Sequence, residues 1–421
     1  MTNALSPVDL LVVNARQLVT SRGKSARGGS ALGDVVIHDG GSLAVKGEHI
    51  VDVGLENELK TRWKPVHTLD ADGGTIVPGF VDAHTHPVFF GTREDEFEMR
   101  TRGATYVEIG LAGGGILSSV RGVRTASKEQ LLALLLKRLD RFLELGTTTI
   151  EAKTGYGLST ADEMKCLAVI AQAQKMHPVE IVPTFLGAHD YPLEFRDRKS
   201  AYVDLLVNEM LPAVAALRIA EYCDVFTEGH VFDLADSRRI LLRAIEVGLR
   251  PRLHADQLSL LGGARLAAEL RAASADHLEF VDDAGIDALL AAGVVPILCP
   301  VVPLYLRIDR EAPGRRMIDR GLPVAVSTDF NPGSSYLQSM PTAMAWAALR
   351  YRMSAGEALT AGTLNAAASL DRAHRIGTLE AGKDADFLVL DVPDYRHLVY
   401  EHGRNAVRTV VKRGTIVWRR S

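Results

Sequence analysis

Eight short apolar runs recur through the middle of this chain, and helical patterns separate most of them. The runs read TIVPGFVDAHTH (75–86), TTTIEAK (147–153), VEIVPTFLGAH (179–189), CDVFTE (223–228), LRPRLHADQ (249–257), SADHLEF (274–280), VVPILCP (294–300) and PVAVSTDFN (323–331). Helical stretches cover 161–175, 196–217, 236–247, 262–272, 282–292 and 312–320. Another, SKEQLLALLLKRLDRFLELG, precedes the second run. There Ser127 and Gln130 make a capping box, so side chains satisfy the first free N–H groups. Leu132, Leu135, Leu136, Leu139, Phe142 and Leu143 share one face, and Gly146 stops the helix. Strand–helix units in this number predict an α/β fold, a closed parallel (β/α)8 barrel. A doubly wound open sheet is the structural alternative.

The two ends of the chain read differently. DLLVVNARQLVT, GDVVIHDG and GSLAVKGEHIVDVG near one end, and GTLEAGKDADFLVLD and AVRTVVKRGTIVWRR near the other, carry β-branched residues with Gly, Asp and Asn punctuation. They lack a helical period. Residues 1–75 and 375–421 are therefore expected to build one small composite β-sandwich domain beside a barrel over 76–374. SRGKSARGGSALGD (21–34) reads as a flexible surface loop.

Polar residues collect where the runs end: His84 and His86, Lys153 and Tyr156, His189, then His254, Asp256 and Gln257, then Asp276 and His277, then Asp329 and Asn331. In such a barrel the C-terminal rim of the strands carries the active site. Residues i and i+2 of a strand face the same way, so His84 and His86 can grip one ion. His254 and Asp329 can add a third imidazole and a carboxylate from across the mouth. Imidazole and carboxylate donors suit Zn²⁺ or Fe²⁺ better than Mg²⁺ or Ca²⁺. An ion with an open position lowers the pKa of bound water to about 7 and polarises a carbonyl. Asp329 is then placed to act as general base, and His277 to polarise the carbonyl or move the proton. A half-exposed strand end and a backbone-bonded buried histidine are the plainer readings of the same residues.

Other classes are disfavoured. The net charge of −4 predicts neither a nucleic-acid nor an anionic-membrane partner. No run approaches ~18 uninterrupted apolar residues, the length of a membrane span. MTNALSPVDLLVVNARQLV lacks the basic start and long apolar core of a signal peptide. Cys166, Cys223 and Cys299 have no CxxC spacing, which fits free thiols in a reducing cytoplasm. LAGGGILSS lacks both a preceding strand and phosphate-loop spacing, so no nucleotide is expected there.

PGFVDAHTH with a later STDFN and a closing GTLEAGKDADFLVLD resembles the amidohydrolase superfamily of metal-dependent barrels. GGGILSSVRGVR, TTTIEAKTGYGL, TFLGAHD, LHADQLSLLGGARLAAEL, SADHLEF and TDFNPGSS resemble, in order and spacing, the motifs of its imidazolonepropionase family. The resemblance runs from about Pro78 to Asp391. It implies hydrolysis of the ring amide C–N bond of 4-imidazolone-5-propionate to N-formimidoyl-L-glutamate, in histidine degradation. It implies one divalent ion, Zn or Fe, on His84, His86, His254 and Asp329. Arg93, Tyr106, Tyr156, His189, Gln257 and His277 are the implied substrate residues, with Asn331, Gly333 and Ser334 after the last strand. A guanidinium at Arg93 would bind the propionate as a bidentate fork. Read alone, Arg93 is a solvated residue or a partner of Glu94, Asp95 or Glu96. Lys153 is read as structural or substrate-side. The partner is a small anionic heterocycle, and a homodimer is the expectation by analogy.

Three stretches depart from the family pattern. LCPVVPLYLR has Val301 and Pro303 where glycine and aromatic residues are usual, which stiffens a loop of the pocket wall. His230 stands where relatives tend to have glycine, facing either the site or solvent. Gln257 replaces a glutamate; an amide hydrogen-bonds but carries no proton at neutral pH. Proton transfer then falls to His277 and Asp329. The competing readings are another amidohydrolase, deaminase-like, acting on a different cyclic amide or amidine, and a non-enzymatic scaffold.

Overall fold

The computed structural model of this 421-residue chain describes residues 5–104, 108–109 and 113–420. Its middle is a sheet of eight parallel strands in strict chain order. These are Phe80–Asp82, Thr147–Lys153, Glu180–Ala188, Tyr222–Thr227, Arg250–Ala255, Ser274–His277, Val295–Leu298 and Ala325–Val326. A parallel bridge from Thr85 to Phe330 brings the first strand to the last. The His86 N–H donates to Phe330 O across that seam at 2.8 Å. The sheet therefore curls into a barrel, and the open-sheet alternative is set aside. Apart from Arg250, every residue of these strands is buried, as a sheet enclosed on both faces requires.

Helices wrap the outside, several of them started by side chains that satisfy the free N–H groups. Lys128–Glu144 begins with the expected capping box of Ser127 and Gln130. Ser159, Asp233 and Asp282 cap Thr160–Met176, Leu234–Glu246 and Asp283–Ala292. On Lys128–Glu144 one expectation is corrected. Leu136 is only half-buried, and Arg138 takes a place on the inner face. Its guanidinium lies 3.4 Å from the Phe89 ring centroid, and Nη1 donates to Pro87 O and Phe89 O, each at 2.8 Å. The helix is selected for its apolar stripe but also clasps the loop after His86.

The stretch Lys199–Leu217 is long and apolar enough to span a membrane by length and composition. Here Tyr202, Val203, Leu206, Met210 and Val214 pack into the main core. Within it Leu206–Met210 forms a π-helical turn. Cys166, Cys223 and Cys299 are buried free thiols.

Strands from both ends form two further sheets. One pairs His49–Leu55, Gly41–Lys46, Ser6–Val13 and Trp63–Asp70. The other has the order Thr415–Arg419, Val407–Lys412, Phe387–Leu390, Thr75–Pro78, Gln17–Thr20, Val36–Asp39. Leu10, Val12, Leu43, Ile76, Phe387 and Val389 fill a shared core, which makes the pair a sandwich.

Two expectations change here. The run TIVPGFVDAHTH is not one barrel strand. Thr75–Pro78 pairs with Phe387–Leu390 in the terminal sheet, and only Phe80–Asp82 enters the barrel. Gly79 makes the break: a Cβ there would lie 2.4 Å from Thr148 Oγ1, so only glycine lets the chain cross at that point. Residues 21–34 are a packed strap rather than a loose loop. Gly29–Gly33 forms a 3₁₀ turn, Leu32 is fully buried, and the Arg27 N–H donates to Asn365 Oδ1.

Candidate active site

His84 and His86 follow the first barrel strand, His254 lies in the fifth, and Asp329 follows the eighth. Their side chains converge. His84 Nε2 and His86 Nε2 are 3.3 Å apart, and His86 Nε2 is 3.4 Å from His254 Nε2. Asp329 Oδ1 is 3.3 Å from His86 Nε2 and 3.4 Å from His84 Nε2. Four donors on a zinc-like ion at about 2.0–2.1 Å would stand roughly 3.3 Å apart at tetrahedral angles. Asp329 Oδ1 is buried with no hydrogen-bond partner among the described residues. An orphaned buried carboxylate oxygen facing two imidazole nitrogens, with a third imidazole beside them, is a donor set that suits a cation. The donors therefore fit one divalent ion. Two overlapping groups satisfy metal-like spacing, one of His84, His86 and Asp329 and one of His84, His254 and His277.

A second layer fixes the rings. Asp276 Oδ2 accepts from His84 Nδ1 at 2.6 Å. Asp224 Oδ2 lies 3.1 Å from His254 Nδ1, close but outside hydrogen-bond alignment, while Oδ1 accepts the His254 backbone N–H. Such carboxylate partners turn Nε2 toward a metal. Lys153 sits beneath both: its Nζ is 2.6 Å from Asp224 Oδ2, 2.8 Å from Glu151 Oε2 and 3.7 Å from Asp276 Oδ2. Arg252 joins the same fully buried network through Glu151 at 3.0 Å. Lys153 thus holds the orienting carboxylates and does not enter the cavity.

Burial and neighbouring charges act together on these groups. Burial and Lys153 both disfavour charge on His84, yet Asp276 and Asp329 lift its pKa to about 9. Burial holds His86 down at about 3. Burial opposes ionisation of Asp329 as well, but contacts with His84 and His86 hold its carboxyl well below the usual range.

Above the donors opens a cavity of about 170 Å³, suited to a small molecule. His86, His254, His277 and Asp329 lie at its base; Tyr156, His189, Phe226 and Gln257 line it. His189 stacks on His86, with centroids 5.1 Å apart, and its Nδ1 is bonded to Gly155 O at 3.0 Å. Burial keeps His189 and His277 well below ordinary histidine pKa, hence neutral. Asn331 shapes the loop after the last strand: Oδ1 accepts from the N–H groups of Gly333 and Ser334, and Nδ2 donates to Asp329 O. Ser334 Oγ reaches Asp329 Oδ2 at 3.4 Å.

Arg93 satisfies both readings of it. Nη2 pairs with Glu96 Oε2 at 2.6 Å, while the guanidinium also lines the cavity, buried. It lies flat on Gly333, where a Cβ would come 2.2 Å from Nη1. Sequence reading missed Arg100. Arg93 directly precedes the helix Glu94–Thr101, and Arg100 lies seven residues on, two helical turns away. It lines the same cavity and donates to Tyr305 O at 3.0 Å and Gly333 O at 3.1 Å. That i, i+7 spacing of arginines was the signal available.

The remaining sequence candidates sort plainly. Tyr106 lies outside the described residues. Asp256 turns away: its carboxylate accepts from the N–H groups of Gly262, Gly263 and Ala264 and caps the helix that follows. His230 is exposed and absent from the cavity lining. The divergent seventh loop does reach the cavity, through Leu306 and Ile308, while Val301 and Pro303 are buried behind. Asp256, His277 and Asp329 all have φ between 48° and 78°, so three strand ends adopt the left-handed backbone that functional sites tolerate.

Residues 209–417 match the model of the Amidohydrolase family. The chain is 47% identical over 417 residues to imidazolonepropionase of Symbiobacterium thermophilum, covering 98% of each. It is 46% identical over 415 residues to imidazolonepropionase of Solibacter usitatus, covering 98% of this chain and 99% of the other. Solved structures share the fold at low identity. An adenosine deaminase from Xanthomonas campestris with bound zinc has TM-score 0.71 at 19% identity, over 98% of this chain and 93% of that one. The E. coli guanine deaminase has TM-score 0.73 at 16% identity, over 98% and 100%.

Proposed function

The chain belongs to the imidazolonepropionase family of amidohydrolases, and from that premise we propose that it hydrolyses the ring amide C–N bond of 4-imidazolone-5-propionate to N-formimidoyl-L-glutamate. One observation carries the reading: a cluster of three imidazoles and a carboxylate lies at the base of a small cavity that Arg93 and Arg100 also line. A neutral cyclic amidine, the substrate of a deaminase, has no carboxylate for the Arg93 fork to hold.

His84, His86, His254 and Asp329 would hold one divalent cation, zinc or iron, which when bound would acidify a water and polarise the ring carbonyl. Asp329, kept ionised, accepts a proton from the attacking water. His277 donates to the carbonyl oxygen as negative charge grows there. The water oxygen bonds to the carbonyl carbon, the ring C–N bond breaks, and the proton held by Asp329 goes to the departing nitrogen. The product gains a carboxylate and an open chain. Arg93 holds the propionate as a fork, which fixes the ring over the attacking oxygen. Gln257 hydrogen-bonds a ring N–H or carbonyl and moves no proton. Tyr156, His189, Asn331, Gly333 and Ser334 shape the walls.

Adding 4-imidazolone-5-propionate to the purified, metal-loaded protein tests this. Its ultraviolet absorbance should disappear with turnover, with about one metal per chain in the same sample. Persistent absorbance with full metal content would overturn the assignment.

A further inference from the structure

His277 and the turn behind it contain buried polar atoms that the reaction above leaves unexplained. His277 Nδ1, both carboxyl oxygens of Glu279 and the Tyr351 hydroxyl are buried without a hydrogen-bond partner among the described residues. Buried unpaired groups are costly and rare, and each calls for a reason. Glu279 Oε1 lies 4.0 Å from His277 Nδ1, and both side chains are essentially closed to solvent. After burial itself, Glu279 is the first influence on the Tyr351 hydroxyl.

The backbone places the carboxyl there deliberately. His277 and Leu278 have φ of 78° and 70°, two consecutive non-glycine residues in the left-handed region. Such residues persist only where their surroundings enforce them. The Leu278 N–H donates to Ala255 O at 3.1 Å and the Phe280 N–H to Asp256 O at 2.8 Å. Arg310 Nε donates to Glu279 O at 2.9 Å. The main chain of Glu279 is clamped on both sides, and its side chain is sent toward the imidazole.

We propose that Glu279 is the positioning residue of His277: a small rotation of its buried side chain closes the 4.0 Å gap, the carboxyl donates to Nδ1, and the ring proton is left on Nε2, ready for the substrate's carbonyl oxygen. The proposal rests on the functional reading above for the role of that proton, though not for the tautomer itself. A neutral imidazole can donate from Nε2 only if Nδ1 carries no hydrogen, so the partner at Nδ1 must be a donor. An ionised Glu279 would instead draw the proton to Nδ1 and turn Nε2 into an acceptor. Burial pushes the Glu279 carboxyl up to about 8, in the required sense. Glu279 itself makes and breaks no covalent bond.

The test compares Glu279→Gln and Glu279→Met as metal-loaded enzymes. The amide of glutamine can still donate to Nδ1, whereas methionine fills the space without a donor. Glu279→Met should lower kcat roughly 10- to 100-fold with KM within about 3-fold, and Glu279→Gln should restore kcat to within about 3-fold of the parent. The melting temperature of Glu279→Met at pH 8 should equal or exceed the parent's, because a carboxyl whose ionisation is opposed by burial has been removed. Parental kcat in Glu279→Met, no rescue by Glu279→Gln, or a kcat loss that tracks a fall in melting temperature would each overturn the proposal. The ¹⁵N shifts of the His277 ring, in substrate-free holoenzyme, decide the tautomer independently. Hydrogen on Nε2 in the parent supports it, and hydrogen on Nδ1 ends it. If the parent leaves the imidazolone untouched, the functional reading fails by itself and the ring spectrum still decides this one.

Discussion

Arg93 pairs with Glu96 and at the same time presents its guanidinium to the cavity, with Gly333 pressed beneath it. Its local sequence, GTREDEFEMR, showed the ion pair but hid the burial, because the loop after the eighth strand brings Gly333 from 240 residues away. Removing the fork should weaken substrate binding more than chemistry. Arg93→Ala is expected to raise KM roughly 10- to 100-fold, the worth of a charge-assisted hydrogen-bond pair, with kcat little changed. A matching fall in kcat in steady-state kinetics would contradict the anchoring role. Glu279 gives a second residue-scale prediction, in stability. Its folded pKa, about 8, stands above the ordinary 4.5. Between those values the folded chain binds a proton that the unfolded chain lacks, so its contribution is full below about pH 4.5 and is lost as pH rises toward 8. The melting temperature of Glu279→Met minus that of the parent should therefore grow from pH 5 to pH 8; a constant difference would contradict a raised pKa.

At the scale of elements, the periodic signals were the readable ones. Eight apolar runs and the capping box at Ser127 follow from local chemistry, and both are present. The split of TIVPGFVDAHTH was not readable, because Thr75–Pro78 and Phe80–Asp82 form one continuous β pattern and only tertiary pairing divides them. Arg138 was hidden likewise: a polar residue in a leucine stripe reads as a gap, yet it ties the helix Lys128–Glu144 to the loop carrying Phe89. Arg138→Met should keep the helix but release Pro87 O and Phe89 O, costing about 1–3 kcal/mol by denaturant unfolding. An unchanged midpoint would show that the loop needs no such clasp. The left-handed strand ends at Asp256, His277 and Asp329 had no sequence signal, since none is glycine.

Across the whole molecule, the proposed ligands arrive from the first, fifth and eighth strands, so one ion held by them would staple opposite sides of the barrel across its mouth. The convergence was legible because barrel topology alone carries strand ends to a common rim. The buried carboxylates and Lys153 beneath it were not, because their pairing depends on which strands become neighbours. Chelation should destabilise the chain by about 3 kcal/mol relative to protein in free metal at 100 times its dissociation constant. Calorimetry showing equal melting temperatures with and without chelator would mean the donors hold nothing. The most direct measurement is anomalous X-ray scattering at the metal edge from crystals of the purified protein. The predicted result is a single peak about 2.0–2.2 Å from His84 Nε2, His86 Nε2, His254 Nε2 and Asp329 Oδ1. A peak elsewhere, or none in protein that hydrolyses the imidazolone, would contradict the shared-cation site.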